Sequence, residues 1–357
     1  MTGRLGMLHA LPRARLTSFE TPIEPLARLS AYCGGAKLFA KRDDCSGLAL
    51  GGNKVRQLEF YLGEAQAEDA DTILITGAVQ SNFCRLAAAA ARKLGMDCHI
   101  QLEDRVAKDD ATYRNSGNVL LDRILGATLH TYGAGEDEAG ADRRLEAIAD
   151  ELRGRGRRPY VIHLAPGHKP LGALGYVIAG EEIAGQMEGS DLVFDEFVVA
   201  SGSGNTHAGL LFGLRALGIR ATVTGVCVRR SADEQFARIA SRCVEIAALL
   251  GISNPVQGND IRLTDTFLAP GYGQLNEATL QAIELAAQRE GMIVDPVYTG
   301  KTMAGFLERA RALGAGHALL FLHTGGTPAV FGLAKRSLRP SARPETETRV
   351  IPIKSIT

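Results

Sequence analysis

The sequence predicts an α/β fold of two lobes, each an open, mainly parallel twisted sheet flanked by helices. Apolar runs of strand length alternate with helical patterns through almost the whole chain, as βα units around parallel sheets require. The 357 residues exceed what one hydrophobic core usually organises, so two lobes are expected. No repeat, low-complexity block or Pro/Ser-rich linker marks a boundary. The chain is therefore expected to cross between lobes, with right-handed crossovers placing helices on both sheet faces.

Taken in order, "GGNKVRQLEF" (51–60) opens an amphipathic helix with Val55, Leu58, Leu62 and Ala65 on one face. "TILITG" (72–77) reads as a buried strand, followed by a helix through "SNFCRLAAAAARKLG". "DCHIQLED" is the next strand and "RNSGNVLLDRILG" the next helix. "ATLHTY" leads into the charged helix "EDEAGADRRLEAIADELRGRG". "RPYVIHLA", "EFVVASGSG", "ATVTGVCV" and "HALLFLHTGG" are further strands, each followed by helical pattern. The tail "KRSLRPSARPETETRVIPIK" reads as an exposed loop and a late strand.

Composition narrows the function. Lys+Arg and Asp+Glu both number 40, so no global charge attracts nucleic acid or an anionic membrane. No apolar run reaches bilayer length, and the N-terminus has only a broken apolar stretch, unlike a signal peptide. Cys33, Cys45, Cys84, Cys98, Cys227 and Cys243 are scattered without a CxxC pair. Neither a metal site nor a disulfide framework is expected; reduced thiols in the cytoplasm fit best.

In open α/β sheets, ligands sit outside the carboxyl ends of strands, where helices begin. Five stretches of this kind carry polar or Gly-rich residues. "GGNK" places Lys54 at a helix N-terminus, where the dipole opposes a cation; it is either a solvated lysine or one held for its reactivity. "SGSGNTHAGL" (201–210) would turn backbone N–H groups and hydroxyls of Gly202, Ser203, Gly204, Asn205 and Thr206 toward one point, as a phosphate cradle or a tight structural turn. In "GAVQSNFCR" (77–85), Ser81 is a natural N-cap, and Gln80, Ser81 and Asn82 either cap or offer donors to a ligand. "PGYGQLNE" (270–277) and "DPVYTGKT" (295–302) set Tyr272 and Tyr298 beside glycines, for packing or catalysis. "LHTGGTPAVFG" (322–332) offers Thr324 as a polar contact, with His323 a satisfied strand-end histidine. A phosphate loop together with a lysine needing a low pKa fits a Schiff-base cofactor with a phosphate handle, which is pyridoxal 5'-phosphate.

With those residues in view, the chain resembles the pyridoxal-phosphate enzymes of the tryptophan-synthase-β-like group, fold type II. Within it the likeness is to the D-cysteine desulfhydrase / 1-aminocyclopropane-1-carboxylate deaminase family, which includes L-cysteate sulfo-lyases. It rests on "KRDDCSGLALGGNKVRQLEF", "GAVQSN", "GNVLLD", "LGALGY", "SGSGNTHAGL", "PGYGQ" and "DPVYTGK" together. The resemblance implies a large cofactor-binding domain from 1–64 and 166–357 and a small α/β domain from 65–165. It implies Lys54 as the cofactor lysine and Asn82 as the partner of the cofactor's phenolic oxygen. Gly202, Ser203, Gly204, Asn205 and Thr206 become the phosphate site, and Thr299 or Thr324 faces the pyridine nitrogen. Ser81, Tyr272 and Tyr298 join Lys54 as catalytic residues. Gln80, Ser81, Asn82, Phe83, Gly167, His168 and Tyr272 border the substrate.

Three departures from the family pattern stand out. Phe83 and Cys84 follow "QSN", "PGHKP" precedes "LGALGY", and Asn205 stands where glycine is usual. His168 and Lys169 either supply positive charge to an acidic side chain or are loop surface. Thr299 stands where the deaminase branch has glutamate, which favours β-elimination over cyclopropane opening. The implied activity is a lyase on a small β-substituted amino acid, D-cysteine first. L-cysteate or aminocyclopropane carboxylate cleavage, racemisation and dehydration are the alternatives, and retention of Lys54 with both tyrosines argues against a non-catalytic binder. A homodimer is implied by likeness.

Overall fold

The structure, a computed structural model, describes residues 5–106, 110–135, 137–164, 167–190 and 192–337, without the side chains of 334–337. Ten strands occur in chain order among them: β1 (Ile23–Pro25), β2 (Lys37–Lys41), β3 (Thr72–Ala78), β4 (Asp97–Glu103) and β5 (Thr128–Tyr132), then β6 (Pro159–Ile162), β7 (Glu196–Ser201), β8 (Thr222–Cys227), β9 (Ile261–Thr264) and β10 (Ala318–Leu322). They form a six-stranded sheet, β1-β2-β10-β7-β8-β9, and a four-stranded sheet, β5-β4-β3-β6. All pairings are parallel except β1 with β2. Two open, mainly parallel sheets flanked by helices are what the alternating pattern predicts.

The small sheet is contiguous in sequence, whereas the large sheet takes strands from both sides of it. One apolar core runs across both, joining Leu58, Ile73, Val177 and Leu320. Every β-strand expected before residue 335 is present, and the late strand expected in the tail falls outside the described residues. β1, β2 and β9 were not anticipated, because "IEP", "KLFAK" and "IRLT" are short and carry charges. "RNSGNVLLDRILG" is not one helix: the chain breaks at Ser116 between Ala111–Asn115 and Gly117–Ile124. Of the expected tail loop, 335–337 instead end the Thr327–Ser337 helix, and 338–357 lie outside the described residues.

The Lys54–Ala67 helix also departs from expectation. Val55, Leu58, Leu62 and Ala65 are fully buried, yet so are Gln57, Glu59 and Phe60, so the helix is enclosed rather than amphipathic. It packs between the Leu171–Glu188 and Asn82–Lys93 helices. Each buried large aliphatic side chain contributes ~1.5–3 kcal/mol. Enclosure obliges the polar residues to find partners. Glu59 accepts from Arg13 Nε at 2.8 Å and Leu16 N–H at 3.1 Å. Arg56 donates to Asp43 (2.9 Å) and Glu182 (2.6 Å), while Lys41, with no exposed surface, reaches the Thr21 carbonyl at 2.6 Å and pairs with Glu182. Tyr176 donates to Asp43 as well.

Candidate active site

The carboxyl ends of β3, β7 and β10 converge on the start of the Lys54–Ala67 helix, around one pocket. The approach to Lys54 is conformationally expensive. Ala49 (φ 41°) and Leu50 (φ 70°) are left-handed, followed by Gly51 at φ 62°. A Cβ on Gly51 would fall 2.0 Å from the Asp44 carbonyl, so only glycine fits. Strain of this sort persists where surroundings over-determine it. Arg85 Nη2 donates to the Gly51 carbonyl at 2.7 Å, and Gly52 N–H donates to Ser46 Oγ at 2.9 Å.

Lys54 is then the first helical residue, behind Asn53, which gives no side-chain cap. Its amine reaches Gln57 Oε1 at 3.2 Å and lies 4.9 Å from the Phe83 ring centroid. No described carboxylate pairs with it. The sequence anticipates a lowered pKa from the helix dipole; the direction holds, but burial is the cause, pulling the amine from 10.5 to about 8. In cofactor-free protein, acylation of Lys54 is therefore expected to rise with a midpoint near about 8, and peptide mapping against pH would measure it. The folded chain also binds fewer protons here than the unfolded chain between about 8 and 10.5. This group's contribution to stability therefore increases with pH across that window.

The turn after β7 has the expected form. Gly204 is left-handed (φ 98°) and caps the Asn205–Ala216 helix. Gly202, Ser203, Gly204 and Thr206 line the pocket. Thr206 Oγ1 accepts from both Asn53 Nδ2 and Gln57 Nε2, each at 2.9 Å. Its own proton is thereby left to donate elsewhere. Asn205 differs: it does not line the pocket, and its Nδ2 sits toward Gly172 and Tyr61, since the helix start turns it inward.

After β3, Ser81 caps the Asn82–Lys93 helix by accepting from Cys84 N–H at 3.2 Å, and it faces the pocket with Asn82 and Phe83. Asn82 Oδ1 accepts from Arg85 Nη1 (3.2 Å) and Asn118 Nδ2 (3.0 Å). Those bonds fix the amide, leaving its NH2 for the pocket. Gln80 is not a pocket residue. Its Nε2 donates to the Tyr113 and Ser116 carbonyls and its Oε1 accepts from Asn118 N–H at 2.9 Å, so its polar atoms hold a neighbouring loop.

Tyr272 and Tyr298 are joined by a 2.6 Å hydrogen bond between hydroxyls, and burial raises both pKa values. Thr299 does not face the pocket. It has no exposed surface, donates to Asp295 Oδ2 and accepts from Asp295 N–H, both at 2.7 Å, because the turn closes on itself there. Thr324 and Asp295 line the pocket instead. His323 is a satisfied strand-end histidine, its Nδ1 accepting from Gly325 N–H at 3.2 Å.

Gly167 and His168 are likewise not brought in. Both are exposed; His168 stacks on His163 at 3.7 Å and lines a separate surface groove, while Lys169 pairs with Glu64 at 2.6 Å. Positive charge comes from elsewhere. Arg105, Arg229 and Arg238 line the pocket mouth with Ser81, Tyr272 and Tyr298. Sequence reading missed these arginines, since nothing local distinguishes them from surface cations.

Residues 15–325 match the family model described as pyridoxal-phosphate dependent enzyme. The chain belongs to that family. It is 43% identical over 327 residues to a D-cysteine desulfhydrase of Yersinia pestis (strain Pestoides F), covering 91% of this chain and 96% of that protein. It is 41% identical over 330 residues to a 1-aminocyclopropane-1-carboxylate deaminase of Mesorhizobium japonicum, covering 91% and 98%. A crystal structure of an ACC deaminase homologue superposes with a TM-score of 0.84 at 38% identity, covering 94% of this chain and 98% of that one. The architecture is accordingly fold type II, and the chain is a pyridoxal-phosphate-dependent lyase.

The pocket fits that family's cofactor. The left-handed Gly204 and the free proton of Thr206 suit a phosphate at a helix N-terminus. The desolvated Lys54 amine suits imine chemistry, and the fixed NH2 of Asn82 suits an anionic oxygen.

Proposed function

We propose that the chain eliminates the β-substituent of a small amino acid, D-cysteine first, releasing pyruvate, ammonia and the leaving group. The observation that carries this is a desolvated Lys54 amine sharing one pocket mouth with Ser81, the 202–203 turn and the paired tyrosines. Pyridoxal phosphate, when bound, supplies an electron sink. Gly202, Ser203, Gly204 and Thr206 hold its phosphate, with Asn205 in the helix start behind them. Asn82 holds its phenolic oxygen and Thr324 faces its ring nitrogen. Ser81 and the helix N-terminus behind it orient the substrate carboxylate. Lys54, with a pKa of about 8, takes the α-proton as general base. Tyr272 and Tyr298, raised and hence protonated at neutral pH, deliver a proton to the departing sulfur as the Cβ–S bond breaks with its electron pair on sulfur. Phe83 covers the amine and excludes water. Released aminoacrylate hydrolyses to pyruvate and ammonia.

A second reading is favoured by the excess of positive charge at the mouth, where Arg105, Arg229 and Arg238 face the single described carboxylate there, Glu138: a β-substituent that is itself anionic, as in L-cysteate. A panel of D-cysteine, L-cysteate, β-chloroalanine and aminocyclopropane carboxylate, followed by pyruvate and leaving-group release, separates the readings. If cysteate is a substrate, Arg105→Met should lower kcat/KM for it by about tenfold or more while sparing β-chloroalanine, as loss of a charged hydrogen bond predicts. No pyruvate from any of these would sink the lyase assignment to such substrates.

Two coarser features complete the proposal. The division into a large domain, 1–64 with 166–357, and a small one, 65–165, is part of the proposal, and strand membership of the two sheets supports it. A homodimer is suggested by family likeness and a cytoplasmic location by the scattered, unpaired cysteines; no described helix is long and apolar enough to cross a membrane. Sedimentation equilibrium would test the dimer.

A further inference from the structure

Glu138 starts the Glu138–Arg153 helix, which packs on β3 and β6 through Leu145, Ile148 and Leu152. Its carboxylate accepts from Arg229 at 2.7 Å and Arg230 at 2.6 Å, and faces Arg238 Nη1 at 3.5 Å. All three arginines follow β8 of the other sheet. Two of them hold the turn after β7. Arg230 Nη1 donates to the Gly202 carbonyl at 3.2 Å, and Arg238 Nε donates to the Ser203 carbonyl at 2.8 Å. Arg238 Nη2 also reaches the Leu164 carbonyl, just beyond β6, at 3.2 Å.

A trans peptide is planar, so a carbonyl drawn one way sends the next residue's N–H the opposite way. The arginines therefore fix the N–H directions of Ser203 and Gly204, both of which line the pocket. Three guanidinium groups repel one another unless an anion sits among them. Glu138 is such an anion, and it comes from the helix layer of the opposite sheet.

We propose that Glu138 is a positioning residue for the Gly202–Thr206 turn, coupling the seating of the small sheet to the grip on the cofactor phosphate. This rests on reading that turn as the phosphate site.

The test titrates cofactor-free protein with pyridoxal phosphate and, separately, with inorganic phosphate. Glu138→Gln and Arg230→Met are each expected to weaken pyridoxal-phosphate binding about tenfold, as expected for lost charged hydrogen bonds. The double variant should lose no more than the worse single, because both act through one chain of contacts. The 31P resonance of bound cofactor should move toward its free position in each variant. If Glu138 were only a nearby negative charge, Glu138→Gln would tighten phosphate binding, and that result overturns the proposal. Unchanged affinity, or fully additive losses, would also overturn it. Arg230→Lys, which keeps the charge while changing the fork, provides the check should Arg230→Met misfold: it should bind more weakly than wild type, and wild-type affinity would count against the proposal. Thr206→Val separates the two layers. If it leaves both affinities intact, the phosphate-site reading fails and takes this proposal with it. If it weakens them while Glu138→Gln does not, the positioning role alone fails.

Discussion

Lys54→Ala is expected to abolish pyruvate release, lowering turnover by about 10³-fold or more, because the residue proposed as both general base and cofactor anchor is lost. No other described lysine can take over. Lys301 also has a pKa pulled to about 8 by burial, but its amine donates to the Leu268 and Gly271 carbonyls at 2.7 and 2.9 Å and does not line the pocket. Lys41 is tied to Glu182. Borohydride reduction of wild-type holoprotein should label the peptide carrying Lys54, and that label should vanish in the variant. The turn proposed to hold the phosphate does not depend on Lys54, so the variant should still bind pyridoxal phosphate, without the covalent bond. A variant retaining a substantial share of wild-type turnover would refute the assignment.

The largest stability effect is expected at Asp43. Asp43→Ala should destabilise the fold by about 3–5 kcal/mol, the usual consequence of stranding one partner of a buried ion pair. Asp43 has no exposed surface; besides Arg56 and Tyr176 it accepts from Thr21 Oγ1 at 2.7 Å. Removing it leaves Arg56 with the Thr21 hydroxyl and one described carboxylate, Glu182, which Lys41 also occupies. Thermal unfolding should show a loss on the order of 10 °C, and Asp43→Asn, which keeps the shape, a smaller one. Asp43 and Glu182 both have pKa values held below their ordinary 3.8 and 4.5, with Arg56 and Lys41 as the lowering charges. Their contribution is complete above those ordinary values and is lost as pH falls through the depressed ones. The wild-type protein should therefore lose stability on acidification, and part of that slope should be missing in Asp43→Ala. Equal acid slopes would argue against this network. Since Arg56 lies two residues from Lys54, cofactor retention should fall as well.

How far the sequence reached follows the range of the interactions involved. That Lys54, Ser81 and the turn after β7 sit where helices begin was legible because the signals are local: a helix start, a cap, a glycine-rich turn after an apolar strand. Asp295 opens "DPVY" with no local signal that sets it apart from any other acidic residue. Only the fold shows its carboxylate gathering the N–H groups of Val297, Tyr298 and Thr299, and Thr299 turned away with it. Arg85 and Asn118, which orient Asn82, lie 33 residues apart and carry no shared pattern. Arg105, Arg229, Arg230, Arg238 and Glu138 are unremarkable charges until two sheets bring them together. The enclosed Lys54–Ala67 helix misled for a related reason: its buried Gln57, Glu59 and Arg56 look like a solvated face until their partners are known.

The strand order has a consequence for how the chain is made. β10 lies between β2 and β7, so the six-stranded sheet has a gap at its centre until residues 318–322 arrive. The four strands of the other sheet are complete by residue 162. A ribosome thus releases a finished small sheet long before the large one can close. Thr324 and Gly325, on the pocket wall, come directly after the strand that fills the gap. The pocket around Lys54 therefore lacks part of its wall until residue 325 has been made.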